Sequence, residues 1–147
     1  MILTSKTVGC LEYVGFPDFD ISDALAKVDT GAFSGALHCT DIKVVRRGKE
    51  KRRILKFVPL GNPAYAQETE DFEQTYVRSA SGHRQRRFII ATRITCGGVT
   101  YSTKIGLSDR KDMKREVLLG RRFLRENDLL VDVRINSELD DEGENTR

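Results

Sequence analysis

The chain has 147 residues, of which 39% are hydrophobic and 32% charged, and its formal net charge is +3. This length and apolar content are enough for one domain with a core of ordinary size. No segment reaches membrane-spanning length, and the first residues lack a basic stretch followed by a long apolar one. We therefore expect a cytoplasmic protein with no membrane partner. Its three widely spaced cysteines are an odd number and argue against a disulfide framework.

Strands and glycine-marked turns are predicted along almost the whole chain. In chain order, the predicted strands are 7–14, 21–28, 35–45, 54–60, 72–78, 86–96, 99–107, 116–119 and 129–135. Residues 61–71 and 108–114 are predicted loops, 121–126 is a short helix, and Gly97-Gly98 is the strongest hairpin signal. This pattern favours an all-β, barrel-like domain, although the pattern alone fits a sandwich and a barrel equally well.

Charge is distributed unevenly between the domain and its last residues. Segment 137–147 holds five acidic residues and one basic residue, whereas the preceding 136 residues carry 24 Lys and Arg against 17 Asp and Glu, a net charge of +7. We predict a basic domain over residues 1–136 and an acidic disordered tail over residues 137–147.

A single carboxylate follows the predicted strand 21–28, in the sequence Asp29-Thr30-Gly31-Ala32. The Thr30 hydroxyl can form local hydrogen bonds, and Gly31 tolerates unusual backbone angles and lets another chain approach closely. These residues therefore predict a carboxylate at the tip of a tight loop. Taken alone, the motif fits a polar turn between two strands as well.

Four blocks of sequence together resemble one known family. They are 27–38 with Lys-Val-Asp-Thr-Gly-Ala and Ala-Leu-His, 77–83, 107–114, and 117–124 with Val-Leu-Leu-Gly-Arg. Their combination resembles the retropepsin-like aspartic peptidases, and within them a bacterial family labelled ATP-dependent zinc protease. That family is associated with ATP-grasp glutamate ligases that modify a ribosomal protein. The resemblance covers residues 7–135 and implies a closed retropepsin-like barrel.

The resemblance implies that Asp29, Thr30 and Gly31 form a catalytic loop. Peptide hydrolysis by aspartates needs two carboxyl groups, one ionised and one protonated, and no second Asp-Thr-Gly or Asp-Ser-Gly occurs in the sequence. A lone chain should be inert, so we expect a homodimer that brings Asp29 of both subunits to one axis. Thr30 would then link the two loops by hydrogen bonding.

The residues expected to contact a substrate are Ala32, Ser81, Gly82, Gly120 and Arg121. Ala32 offers no hydroxyl to the carboxylates, so a protonated carboxyl group should persist to higher pH. Residues 79–83, at the tip of a predicted hairpin, are the candidate flap over the cleft. An exposed loop without a catalytic part is the alternative interpretation of that tip.

Basic residues cluster at 46–53, 84–87, 110–115 and 121–125. They indicate attraction to an acidic partner, and the family's association with glutamate ligases makes a glutamate-rich peptide the expected substrate. Solvated strand edges, which charge protects from unwanted pairing, are the alternative interpretation. The clusters lack interleaved aromatic residues and any known binding motif, which argues against a nucleic-acid partner.

The sequence supports neither zinc nor ATP dependence. No His-Glu-x-x-His or nucleotide-binding loop occurs, so we expect no cofactor, and any nucleotide would belong to an ATP-grasp ligase partner. His38 and Cys39 are weak metal-ligand candidates, with a hydrogen-bonded structural histidine as the alternative. Three hypotheses stay open: a homodimeric aspartic endopeptidase, a catalytically silent module that binds acidic peptides or a ligase, and metal-dependent hydrolysis.

Overall fold

The computed structural model describes residues 6–78 and 81–140. No helix in these two ranges is long and apolar enough to cross a membrane. The elements are β1 (Lys6–Val8), β2 (Leu11–Phe16), β3 (Ile21–Val28), β4 (Gly35–Arg47), β5 (Arg52–Pro59), β6 (Gln67–Thr69), β7 (Glu73–Arg78), β8 (Arg84–Cys96), β9 (Val99–Ser108), β10 (Val117–Leu119), α1 (Arg121–Glu126) and β11 (Leu129–Val131).

Six of these strands close into a barrel, in the order β3, β2, β8, β9, β4 and β10. The ring is closed by β10, which pairs in parallel with β3 and antiparallel with β4. Closure gives every strand of the ring a backbone partner on both sides. The predicted all-β, retropepsin-like closed barrel with one short helix is confirmed.

Apolar residues at every second position of the barrel strands form the core. Side chains of successive strand residues point to opposite faces, so a period of two places one set inside. On β8 and β9 the inward set includes Phe88, Ile90, Ile94, Cys96, Ile105 and Leu107, all buried. The outward set is left to face solvent or a cleft.

The two-residue turn predicted at Gly97-Gly98 is present. Cys96 and Val99 are paired on either side of it, and the two glycines have φ angles of +58° and +79°. Two consecutive positive φ angles define the mirror-image turn that matches the twist of a hairpin. Glycine adopts this conformation without strain, so the local sequence dictates the β8–β9 hairpin.

The segment 61–71 is not the plain loop predicted from the sequence. It contains a 3₁₀ turn at Pro63–Tyr65, and β6 pairs antiparallel with β5. Arg47 donates two hydrogen bonds of 2.6 Å to the carboxylate of Glu68 on β6. The three residues of β6 show no apolar alternation of their own, which is why the pattern missed a strand that depends on its neighbour.

The predicted strand 7–14 is two strands, separated at Gly9 and Cys10. A Cβ atom at Gly9 would lie 2.3 Å from the Ile135 carbonyl oxygen, and the Cys10 N–H donates to that carbonyl at 3.2 Å. Only a glycine permits so close an approach. The chain therefore bends there, and β1 pairs in parallel with β11 instead of extending β2.

The last predicted strand, 129–135, ends early, at Val131. Asp132 then forms a turn: its carboxylate accepts the Arg134 N–H at 3.0 Å, and its carbonyl accepts the Ile135 N–H at 3.0 Å. A carboxylate that captures nearby backbone N–H groups favours a turn over a strand. A 3₁₀ turn follows at Ser137–Leu139. The predicted tail stays a prediction, and residues 141–147 lie outside the described ranges.

Candidate active site

The short strand β10 positions the Asp29 loop. Leu119 pairs with Val28 on one side of β10, and Leu118 pairs with Ala36 on the other. The chain leaves β3 at Asp29, whose backbone N–H donates to the Leu119 carbonyl at 2.9 Å. It must then cross the end of β10 to enter β4. The six residues between β3 and β4 therefore form a loop over that end of the barrel.

The carboxylate of Asp29 is held by its own loop. The Gly31 N–H donates to Asp29 Oδ1 at 2.9 Å, and the Ala32 N–H donates to the Asp29 carbonyl at 3.3 Å. Asp29 is half-buried, whereas Thr30 and Gly31 are exposed. A short side chain whose carboxylate accepts a hydrogen bond from the backbone N–H two residues later forms a compact turn. This turn orients the carboxylate and leaves the two following residues accessible to another molecule.

Gly120 and the first turn of α1 fix the far side of the loop. A Cβ atom at Gly120 would lie 2.6 Å from the Phe33 carbonyl oxygen and 2.9 Å from that of Ala32. The Arg121 N–H donates to the Ala32 carbonyl at 2.7 Å, and the Arg122 N–H donates to that of Phe33 at 3.0 Å. The glycine therefore lets two unpaired N–H groups at the helix start bond the loop directly.

The side chain of Arg121 also binds the loop. Its Nη1 atom donates to the Thr30 carbonyl at 3.1 Å, and its guanidinium carbon lies 5.8 Å from the centre of the half-exposed Phe33 ring. The sequence places Arg121 among the substrate-binding residues. In the structure its side chain donates to the Thr30 carbonyl and its backbone N–H donates to the Ala32 carbonyl, so both contact the backbone of the Asp29 loop.

The candidate flap is the tip of the β7–β8 hairpin. Arg78 and Arg84 are the last paired residues before the tip. Ser81 and Gly82 are exposed there, and Gly82 has a φ angle of +85°. Ser79 and Ala80, which the sequence includes in the flap, lie outside the described residues. Ser81 and Gly82 thus belong to the β7–β8 hairpin, a different element from the Asp29 loop.

Two arginines add positive charge beside the loop. Arg87 on β8 extends its side chain across Gly106, with Cδ 3.4 Å from where a Cβ would stand. Arg110 lies in the loop after β9, and both arginines line a cavity of about 620 Å³. Burial and the charge of Arg87 lower the pKa of Arg110, whereas the charge of Asp29 raises it. Arg87 and Arg110 therefore line one cavity, and the charges of Arg87 and Asp29 have opposite effects on the pKa of Arg110.

The sequence does not single out Arg87 or Arg110 from their basic clusters. Both clusters contain neighbouring arginines or lysines that satisfy the same pattern. What distinguishes these two is tertiary: Arg87 faces a strand position without a side chain, and Arg110 is half-buried and bonded through its backbone N–H to His38. The glycine at 106 was the available signal, since a small residue between Ile105 and Leu107 leaves room for a long side chain.

The two weak metal candidates do not converge on one point. His38 and Cys39 are consecutive residues of β4, so their side chains point to opposite faces. Burial raises the pKa of the Cys39 thiol far above its usual range, which opposes formation of a metal-binding thiolate. Across 6–78 and 81–140, no three His, Cys, Asp or Glu side chains are grouped so that they could hold a metal ion.

The chain is similar to several known proteins. A family model described as RimB-like, retropepsin-like aspartic endopeptidase RimB, matches residues 7–139. A Shewanella pealeana protein named probable alpha-L-glutamate ligase is 27% identical over 128 residues, which is 85% of this chain and 28% of the ligase. A Desulfotalea psychrophila protein of the same name is 25% identical over 133 residues, which is 88% of this chain and 28% of the Desulfotalea protein. The chain thus spans little more than a quarter of these relatives.

A solved structure has a similar fold. The crystal structure of Lpg0085, a Legionella pneumophila protein of unknown function, superposes with a TM-score of 0.63 at 25% identity. The match covers 90% of this chain and 96% of the Legionella protein. The two proteins therefore share their fold over most of both chains.

Replacing Gly120 with Ala should destabilise the fold. The added methyl group would meet three backbone atoms of residues 32–34 within 2.9 Å, and backbone cannot move aside as a flexible side chain can. We expect the free energy of unfolding to fall by about 2 kcal/mol or more, measured by urea denaturation. Gly31→Ala is the matched control, because only the Asp29 carboxylate lies near its added atom. Equal unfolding midpoints for both variants would contradict the role of Gly120.

Proposed function

Because the chain belongs to the RimB-like family of retropepsin-like aspartic endopeptidases, we propose that it is an aspartic endopeptidase that works as a homodimer. The observation that carries the proposal is the placement of Asp29. Its carboxylate stands at the end of a barrel strand, held by the Gly31 N–H, in a loop that packs against Gly120 and accepts hydrogen bonds from Arg121 and Arg122. Such a rigid scaffold is what a catalytic carboxylate requires.

The chemistry requires a second carboxyl group. An ionised carboxylate takes a proton from water as the water oxygen attacks the peptide carbonyl carbon, and a protonated partner donates its proton to the carbonyl oxygen. Collapse of this adduct breaks the C–N bond and transfers a proton to the amine that leaves. Each subunit contributes one Asp29, so a two-fold axis beside the loop would complete the pair.

The terminal strands offer a surface for such a dimer. Leu130 and Val133 are 59% and 69% exposed, and both line an open cavity of about 460 Å³ beside β1 and β11. This surface is near Asp29, because the Ile135 carbonyl accepts the Cys10 N–H and the Cys10 carbonyl accepts the Val28 N–H. A second copy that covered these apolar side chains would thus bring two Asp29 loops close together.

The arginines support an acidic peptide as the substrate. Arg87 and Arg110 line the same cavity, and the charge of Asp29 acts on Arg110. A carboxylate that entered the cavity would bind two guanidinium groups and relieve their mutual repulsion. The relatives named as glutamate ligases point to glutamate as the acidic residue. We therefore propose a glutamate-rich peptide as substrate and a ligase of the ATP-grasp type as a partner.

A silent binding module is the second candidate function. The arginine-lined cavity is formed within one chain and needs no second Asp29. An acidic peptide would then bind without being cleaved. The two functions differ in what they demand of the Asp29 carboxylate, and the same variant distinguishes them.

Replacing Asp29 with Asn should remove cleavage and leave binding. The amide cannot take a proton from water, so kcat on a glutamate-rich peptide should fall by about 10² to 10⁴-fold. Cleavage is followed by mass spectrometry and peptide affinity by calorimetry. Asp23→Asn, the same change at an exposed position of β3, is the control. If Asp29→Asn binds and processes the peptide as the unsubstituted chain does, the endopeptidase proposal is wrong and the binding module stands.

Placing charge on the terminal strands should separate the subunits. Leu130→Lys with Val133→Lys would bury two ammonium groups if the proposed dimer formed, and that cost should raise the dissociation constant about tenfold or more. Sedimentation equilibrium measures the change. Met113→Lys, at a residue that is 57% exposed elsewhere, is the control and should leave association unchanged. An unaltered dimer in the double variant would place the interface on another surface.

A further inference from the structure

His38 is a buried histidine that takes no part in the chemistry proposed for Asp29. Its side chain is 6% exposed, and its Nδ1 atom accepts the backbone N–H of Arg110 at 2.8 Å. A carboxylate oxygen of Asp109 lies 3.9 Å from the same nitrogen. Burying a polar side chain costs free energy unless the side chain is hydrogen-bonded. The partner of His38 therefore indicates what this residue does.

The backbone of His38 holds the other end of the same loop. Its N–H donates to the Glu116 carbonyl at 2.7 Å, so residues 110–116 are attached to His38 at both ends. Within the loop, Arg110 Nε donates to the Arg115 carbonyl at 3.0 Å. The His38 carbonyl accepts the Leu60 N–H at 2.8 Å, which ties the residue to the end of β5. The conformation of the Arg110 loop therefore depends on one residue of β4.

The hydrogen bond also sets the proton position on the imidazole. A nitrogen that accepts an N–H carries no proton, so Nδ1 is unprotonated and a neutral ring has its proton on Nε2. A ring with a proton on Nδ1 would direct one N–H against another and lose the contact. The neutral Nε2-protonated form of His38 is thus the form that holds Arg110.

We propose that His38 is a positioning residue, which fixes Arg110 so that its guanidinium receives a substrate carboxylate in the cavity that Arg87 and Arg110 line. The inference rests on the acidic substrate proposed above. Arg110 is the residue that touches substrate, and His38 acts through it. Affinity for acidic peptides should therefore depend on where the hydrogen-bond acceptor atom of residue 38 lies. It should not depend on the presence of an imidazole as such.

The hydrogen bond itself can be tested by nuclear magnetic resonance. The sequence holds two histidines, so the spectrum of a His83→Asn variant assigns the ¹⁵N signals of His38. At pH 8 we expect a ring that is unprotonated on Nδ1 and protonated on Nε2. This tautomer should stay the same when the protein is diluted. A ring protonated on Nδ1, or one that averages freely between the two tautomers, would overturn the proposal.

The positioning role is tested by binding in the Asp29→Asn background, where cleavage does not interfere. A peptide rich in glutamate is compared by calorimetry with the same peptide carrying glutamine. Arg110→Gln should weaken binding of the acidic peptide about 10 to 100-fold, as the loss of a charged hydrogen bond does. Lys49→Gln, which removes an exposed charge from the turn between β4 and β5, controls for net charge and should have little effect.

At position 38 the acceptor is changed in two ways. His38→Asn keeps an oxygen close to the place of Nδ1 and should bind the acidic peptide within about threefold of the parent, whereas His38→Leu should match Arg110→Gln. If His38→Leu does not fold, His38→Gln replaces it, because its longer side chain misplaces the acceptor. Similar affinity in the asparagine and leucine or glutamine variants overturns the proposal.

The outcomes separate this inference from the proposed function. If acidic-peptide binding depends on Arg110 and on the acceptor at position 38 while no peptide is ever cleaved, the endopeptidase is wrong and the positioning role stands. If the peptide is cleaved but its affinity and KM do not change when His38 is substituted, the endopeptidase stands and the positioning role is wrong. If the Asp29→Asn parent does not bind the glutamate peptide more tightly than the glutamine peptide, the role of Arg110 is wrong as well.

Discussion

The insertion of β10 between β3 and β4 is the constraint on which the rest of the structure depends. This strand of three residues closes the barrel, and its last carbonyl receives the Asp29 N–H. The next residue, Gly120, lies so close to residues 32–34 that a side chain would not fit. The strand that closes the barrel thus also positions the Asp29 loop. A change that displaced β10 would open the sheet and release the carboxylate together.

The same arrangement explains why the loop is rigid on one side and open on the other. Beneath it, the start of α1 donates two backbone hydrogen bonds and Arg121 donates a third. Above it, Thr30, Gly31 and the ring of Phe33 are exposed. A loop fixed by the protein and accessible at its tip is suited to meet a second copy of itself. The basic side chains of Arg87 and Arg110 line one cavity.

Local sequence signals were enough for much of the fold. Gly97-Gly98 dictated its hairpin because both positions need positive φ angles, and the alternating apolar residues of β8 and β9 marked long strands. The predictions failed where pairing, rather than local preference, decides the structure. The strand β6 exists because β5 is beside it, and β1 pairs with β11 because Gly9 allows the chain to approach Ile135.

The candidate site divides in the same way. Asp29, Gly31 and Gly120 could be recognised because tight turns and close approaches demand particular residues at fixed positions. Arg87, Arg110 and the role proposed for His38 could not, because they depend on a strand register and on a loop residue 72 positions downstream of His38. Arg121 is a different case, because its motif in the sequence indicated a substrate-binding residue. In the structure its side chain contacts the loop backbone.

A subunit-mixing experiment tests the central claim most directly, namely that each active site takes one Asp29 from each of two chains. Unsubstituted chains and Asp29→Asn chains are mixed in varying ratio, allowed to exchange, and assayed on a glutamate-rich peptide. If both carboxyl groups are needed, only dimers of two unsubstituted chains cleave, so an equal mixture retains about one quarter of the activity and the decline is quadratic. A linear decline, with about one half of the activity in the equal mixture, would show that a single chain suffices and would contradict the account.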